Sequence, residues 1–158
     1  MSDDLRLVPA RAEDEAAVLA FARAMNAEDG HPLDPAGEAA ARRVARGEAN
    51  ARCWLMHRTG GAGAVSHIVL TIGFSIQHGG RDGFIDELYV RPEARGAGIG
   101  RRLLALAERE ARALGFAALH LEVERSNDRA RRLYGTLGYA DNDRLLMSKR
   151  LEPPSGGG

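Results

Sequence analysis

A chain of 158 residues is long enough to bury a hydrophobic core and falls within the usual size of one domain. Its 22 basic and 22 acidic side chains cancel, so no global field draws it to nucleic acid or to a membrane, and any basic site must be local. One cysteine cannot form an internal disulfide, no apolar run approaches spanning length, and MSDDLRLV lacks the basic-then-apolar order of a leader, which makes a reducing cytoplasm the expected setting.

In chain order, residues 5–8 predict a short strand ended by Pro9, and residues 12–27 a helix with Ala16, Leu19, Ala20 and Arg23 at helical spacing. Asp34-Pro35 opens a second helix that stops near Gly47; its alanines and arginines are read as helix propensity and solvated charge. Residues 51–57 and 65–77 are apolar or alternating around Gly60-Gly61, the mark of a hairpin in which Cys53 and Trp54 are core positions rather than reactive ones. Residues 78–83, HGGRDG, predict a turn before a strand at 84–90.

Residues 85–100, IDELYVRPEARGAGIG, carry the strongest signal, a strand that ends in an Arg-Gly loop opening directly into a helix. Glycines let the backbone approach a ligand, the helix start offers unpaired N–H groups and a positive dipole end, and Arg95 adds a cation with a fork of donors. That combination suits a phosphate. The helix beyond shows a buried stripe of Ile99, Leu103, Leu106, Ala107 and Leu114 and is closed by Gly115. A strand at 117–123, a helix at 128–137 closed by Gly138, and a final strand at 144–151 follow. Residues 1–152 are expected to form a single domain; 153–158, PPSGGG, are too poor in apolar groups to pack and are expected to be a flexible tail.

Three phosphate loops can be compared with this one. The Gly-x-x-x-x-Gly-Lys-Ser/Thr string occurs nowhere in the chain. A dinucleotide loop needs a third glycine where Arg101 stands and a strand that abuts the first glycine, whereas residues 91–95 intervene; Glu122, near the position of a ribose-binding acid, does not repair this. The third pattern, Arg/Gln-x-x-Gly-x-Gly/Ala, is met by Arg95, Gly98 and Gly100. Downstream, SNDRARRLYGTLGYA places Asn127 and Ala130, then Leu133-Tyr134, then Leu137-Gly138-Tyr139. In these motifs, and in FSIQHGGRDGFIDELYV upstream, the chain resembles the GCN5-related N-acetyltransferases over residues 68–151, nearest in pattern to members that acetylate small amines.

The resemblance implies an α/β fold with a mixed, mostly antiparallel sheet splayed between its fourth and fifth strands and flanked by helices. It implies acetyl coenzyme A as co-substrate, with its pantetheine on the backbone of Leu88, Tyr89 and Val90 and its pyrophosphate on the loop formed by Arg95, Gly96, Ala97, Gly98, Ile99, Gly100 and Arg101; Asn127 and Tyr134 also contact the coenzyme. Asp86 occupies the position of the acid that serves as general base in some members, and Tyr134 that of the donor to the departing thiolate. Because strand side chains alternate, only one of Asp86 and Glu87 is expected on a given face, and Glu87 or water remain alternative proton acceptors. Glu87, and His31 in the loop between the first two helices, are candidate acceptor-site residues.

The acidic pair favours a small cationic amine; an acetyl coenzyme A sensor without turnover, or an enzyme acting on protein N-termini or lysines, are the alternatives. No His-x-x-x-His spacing joins the histidines, so no metal is expected, and neither nucleic acid nor membrane is an expected partner. Homodimers are common in the family, and no residue here demands one.

Overall fold

The computed structural model describes residues 4–152, which fall into two compact units, one ending at Glu122 and one starting at Val123. The expected tail at 153–158 lies outside the described residues.

The first unit is built on a five-stranded sheet in the order β1-β2-β3-β4-β5, with β1 Leu5–Pro9, β2 Ala51–Arg58, β3 Ala64–Ser75, β4 Gly80–Val90 and β5 Ala118–His120. The first four strands pair antiparallel and β5 joins β4 in parallel, which gives the mixed sheet expected. Between β1 and β2 run α1, Glu15–Glu28, entered through a single 3-10 turn, and α2, Pro35–Arg46. Asp34 caps α2 by accepting the Gly37 N–H at 2.8 Å, with Pro35 at the first turn and Gly47 just past the end. Between β4 and β5 lies α3, Ile99–Ala113.

Ile68, Val69 and Leu70 in the middle of β3 are all buried, and consecutive strand residues point to opposite faces, so the sheet must be covered on both sides. Val18 and Phe21 of α1 and Ala45 of α2 join Cys53, Leu55, Val69 and Tyr89 in one core cluster. The other layer is α3, which touches β3 and β4 and buries Ile99, Leu103, Leu104, Ala107 and Ala111. Leu104 takes the buried place expected of Leu106, a small rotation of the stripe toward the sheet.

Two expected boundaries shift. The β3–β4 ladder continues to Ser75↔Gly80, so residues 80–83 are strand rather than turn; hydrogen bonding to β3 outweighs their weak strand propensity. Gly83 sits there because a Cβ would lie 2.1 Å from the Thr71 carbonyl oxygen and 2.5 Å from the Phe116 ring. The strand expected at 117–123 is only Ala118–His120, paired with Asp82–Phe84. Among the described residues β5 pairs with β4 only at Asp82–Phe84, and from Ile85 onward β4 pairs only with β3.

The second unit contains α4, Asp128–Thr136, capped by Asn127, whose Oδ1 accepts the Ala130 N–H at 3.1 Å. Residues 144–151 form no strand: their backbone joins no ladder among the described residues, and Leu145, Leu146 and Met147 are exposed. Apolar alternation is fulfilled as strand only where a neighbour supplies hydrogen bonds.

Candidate active site

The glycine loop is shaped as its sequence implies. A short 3-10 turn, Pro92–Ala94, leads into it, and Gly96 and Gly98 take φ of 86° and 72°, a region that side chains with a Cβ rarely occupy. The first intrahelical bond of α3 runs from the Arg102 N–H to the Gly98 carbonyl at 3.1 Å, so the amides of Ile99 and Gly100 precede the ladder. A Cβ built at Gly96, Gly98 or Gly100 would meet nothing within 4 Å. The loop therefore leaves open space beside its glycines.

Beside it, the C-terminal half of β4 offers a free backbone edge. The Arg91 N–H bonds to the Val65 carbonyl at 2.9 Å on the β3 side, so strand alternation turns the N–H and C=O of Val90 to the open side. The Val90 carbonyl there accepts Arg95 Nε at 2.9 Å, which leaves the amide as the donor on offer. Arg95 is occupied beyond this: its Nη2 reaches both carboxylate oxygens of Glu28 at 2.8 and 2.9 Å, and its guanidinium lies 5.4 Å from the centre of the Tyr89 ring. Tyr89 donates its hydroxyl to Glu28 Oε1 at 3.2 Å, and burial, followed by the Glu28 charge, raises its pKa. Arg95 thus ties the loop to the end of α1 as well as standing in the glycine motif.

On the α1/α2 face of the sheet a recess of about 290 Å³ opens between the two helices, β3 and β4. Val18, Ala22, Met25 and Asn26 of α1 line it at helical spacing, as do Gly37, Ala40, Ala41 and Val44 of α2. The small side chains on α2, expected to be no more than helix propensity and wet surface, are what leaves room between the helices.

Both Asp86 and Glu87 reach this recess, against the expectation of one per face. The pairing explains it: Val69 faces Glu87 while Leu70 faces Ile85, so Asp86 is an extra residue, a β-bulge that interrupts the alternation. The two carboxylates are held differently. Glu87 is held on one side, its Oε1 accepting Asn26 Nδ2 at 3.1 Å; its Oε2 lies 3.0 Å from Nε2 of the buried His67 without hydrogen-bond geometry. Asp86 reaches solvent but is crowded by protein atoms, and partial desolvation, with the neighbouring Glu87 second, raises its pKa.

His31 is exposed in the loop after α1 and does not line the recess; Leu33 of the same loop does. Cys53 is buried on β2, and desolvation raises its thiol pKa to about 12. Within the second unit, burial raises the pKa of Tyr134, whose ring lies edge-on to Tyr139 with centroids 6.1 Å apart, and Asn127 is the cap of α4. The residues unforeseen from sequence are Asn26, His67 and Glu28, each partnered with a residue 20 or more positions away in β4 or its following loop. The recurrence of small residues at helical spacing on α2 was a sign of the recess in the sequence.

The comparisons with known proteins bear on the family and the fold. A curated relative, an IAA acetyltransferase of Azospirillum brasilense, is 46% identical over 59 residues, a match that spans 37% of this chain and only 39% of the relative's own length. An integron cassette protein from the mobile metagenome of Cole Harbour Salt Marsh superposes with a TM-score of 0.75 at 30% identity, over 94% of this chain and 91% of that one. The structure of AAC(6')-Iy in complex with a bisubstrate analogue of coenzyme A and acetylneamine shares the fold, with a TM-score of 0.75 at 15% identity over 93% and 98% of the two chains. The profile of the acetyltransferase (GNAT) family matches residues 19–139, most of the chain and all of the glycine loop. The chain belongs to that family, whose enzymes carry out acyl-CoA-dependent N-acetyl transfer.

Proposed function

We propose that this protein transfers the acetyl group of acetyl coenzyme A directly to a primary amine on a small cationic acceptor held in the recess between α1 and α2. The observation that carries this reading is the pair Asp86 and Glu87 at the polar end of a recess of about 290 Å³. Two carboxylates among apolar walls attract a cation and orient it by its charged end.

A free alkylamine has a pKa of about 10.4 and is protonated at neutral pH, so it must lose a proton before it attacks. Asp86 is the acceptor of that proton: its raised pKa makes it a stronger base than an ordinary aspartate, while Glu87, oriented by Asn26, fixes the ammonium group. The amine nitrogen then bonds to the thioester carbonyl carbon. The negative oxygen of the tetrahedral intermediate takes a hydrogen bond from the Val90 amide. The nitrogen, cationic once bonded, gives its second proton to solvent, and collapse then breaks the carbon–sulfur bond and expels the coenzyme thiolate, a fair leaving group with a thiol pKa of about 8.5.

Tyr134 is assigned as donor to that thiolate. Its place in the Asn-x-x-Ala-x-x-Leu-Tyr string supports the role, and its raised pKa keeps the hydroxyl protonated, as a donor requires. The pyrophosphate is assigned to the amides from Gly96 to Arg101, and Asn127 is assigned to the coenzyme by its place in the family pattern.

The test is a panel of polyamines, amino-acid amines, aminoglycosides and free-N-terminal or lysine peptides, supplied with acetyl coenzyme A and followed by released thiol. Turnover is expected with a small cationic amine. Saturable coenzyme binding without acetylation of any amine would make the protein a sensor, and turnover confined to peptides would overturn the acceptor class.

A further inference from the structure

Away from the recess and the glycine loop, three side chains from three elements meet where β4 and β5 are still paired. His78 lies in the turn between β3 and β4, Asp82 on β4, and His120 at the end of β5. Their candidate ligand atoms, one from each residue, all lie within 4.8 Å of one another. His120 Nε2 is 3.0 Å from Asp82 Oδ2, and the His78 and His120 rings have centroids 4.8 Å apart. We propose that His78, Asp82 and His120 bind one divalent transition-metal ion of the zinc class.

The spacing fits such an ion. Ligands about 2.0–2.2 Å from a tetrahedral zinc stand roughly 3.3 Å from each other, so the Asp82–His120 pair needs only a small adjustment. His78 is exposed and turns about its own side-chain bonds to close the third side. Two imidazoles and one carboxylate form a borderline donor set that suits zinc, nickel or copper rather than the all-oxygen sets of magnesium and calcium. Three protein ligands leave a position for water. Asp82 and His120 are mostly shielded, at 14% and 20% side-chain exposure, and the Phe84 ring packs 5.1 Å from the His120 ring, so the pair sits in a medium that strengthens its attraction for a cation.

The location gives the ion a role. β5 is held to β4 by only three residue pairs, and a metal bound to all three side chains would fasten the β3–β4 turn, β4 and β5 together. The chain spacing of these histidines conveyed none of this, because the parallel pairing of β4 with β5 brings together residues 38 positions apart.

The experiment uses the full chain, stripped with chelator and titrated with zinc against a competing chelator. One equivalent is expected to bind and to raise the melting temperature. Even residues that only support metal ligands cost about 10–100-fold in affinity when changed, so losing a ligand should cost no less. His120→Ala is expected to weaken zinc about a hundredfold. His78→Ala, in an exposed turn, should weaken it about tenfold or more with an unchanged far-ultraviolet spectrum, and the cobalt(II) form should show visible absorption that both variants lose. His31→Ala serves as control and should bind zinc like the parent. Absence of stoichiometric zinc binding, or equal affinity in the parent and His78→Ala, would overturn the site.

Discussion

The glycine loop and the recess between α1 and α2 lie at two parts of one unit, yet they are made by different means. The loop is contiguous in sequence and presents backbone: amides at the start of α3, open space over Gly98 and Gly100, and the edge of β4. The recess presents side chains, gathered from α1, α2, β3 and a bulge in β4. A backbone site tolerates any side chain that does not fill its space, while a side-chain site is sensitive to one atom. The comparison predicts that variants in the recess change rate and acceptor, and variants in the loop change coenzyme affinity.

Asp86→Asn should produce the largest effect. General bases typically contribute about a hundredfold to ten-thousandfold, and kcat should fall on that scale while coenzyme affinity, measured by calorimetry, stays unchanged. Stability should move the other way. Because partial desolvation and Glu87 raise the pKa of Asp86, its contribution to the fold is full below the ordinary carboxylate range and is lost as pH rises through the raised value. At neutral pH the ionised group is a liability, so the Asn variant should melt higher than the parent at pH 7 and lose that advantage in acid. Full turnover at every pH would assign the proton to Glu87 or to water.

Tyr134→Phe removes one hydroxyl and keeps the ring against Tyr139. Acetyl transfer is expected to slow by about a hundredfold, the lower end for an acid acting on a good leaving group, with the melting temperature little changed. A fully active variant would leave the thiolate without an enzyme-supplied donor.

Gly100→Val sharpens the loop side of the comparison. Gly98→Val would strain a φ of 72° and confuse folding with binding, whereas Gly100 lies in the first turn of α3 with open space about it. The variant should fold and yet weaken coenzyme binding by roughly tenfold or more, about 1.4 kcal/mol, because the added methyls fill the space assigned above to the pyrophosphate. Unchanged affinity would move the pyrophosphate elsewhere.

Asn26→Ala should have the smallest effect. It removes the 3.1 Å hydrogen bond that holds Glu87, at a cost of about 1 kcal/mol in stability, and should raise the acceptor KM several-fold with little change in coenzyme affinity. An equal loss for acceptor and coenzyme would show that the two sites are not independent.

The same contrast explains what was legible in the sequence. Loop, helix start and β4 are adjacent in the chain, and the glycines must stand where backbone needs positive φ or close approach, so residues 95–100 could be identified by inspection. The strands 51–58 and 64–75 and the cap at Asp34 were equally local. The bulge was not, because an extra residue in β4 is defined only against its partner in β3, and it alone lets Asp86 and Glu87 share a recess. Nor were Asn26 and His67 visible as partners of Glu87, 61 and 20 residues away in the chain, or Glu28 as the partner of Arg95, 67 residues away. The strand expected at 144–151 failed for a related reason: apolar residues announce a preference, and only a neighbouring ladder realises it.

The burial of Cys53 has a practical side. The chain has no other cysteine, and a thiol whose pKa burial raises to about 12 stays protonated at pH 8, where disulfide reagents are used to count released coenzyme A. Enclosed on β2 among Val18, Phe21 and Leu55, it is also out of a reagent's reach while the protein stays folded. The colour that develops during turnover therefore measures product with no background from the enzyme, and colour from the protein alone measures how much of the preparation has unfolded.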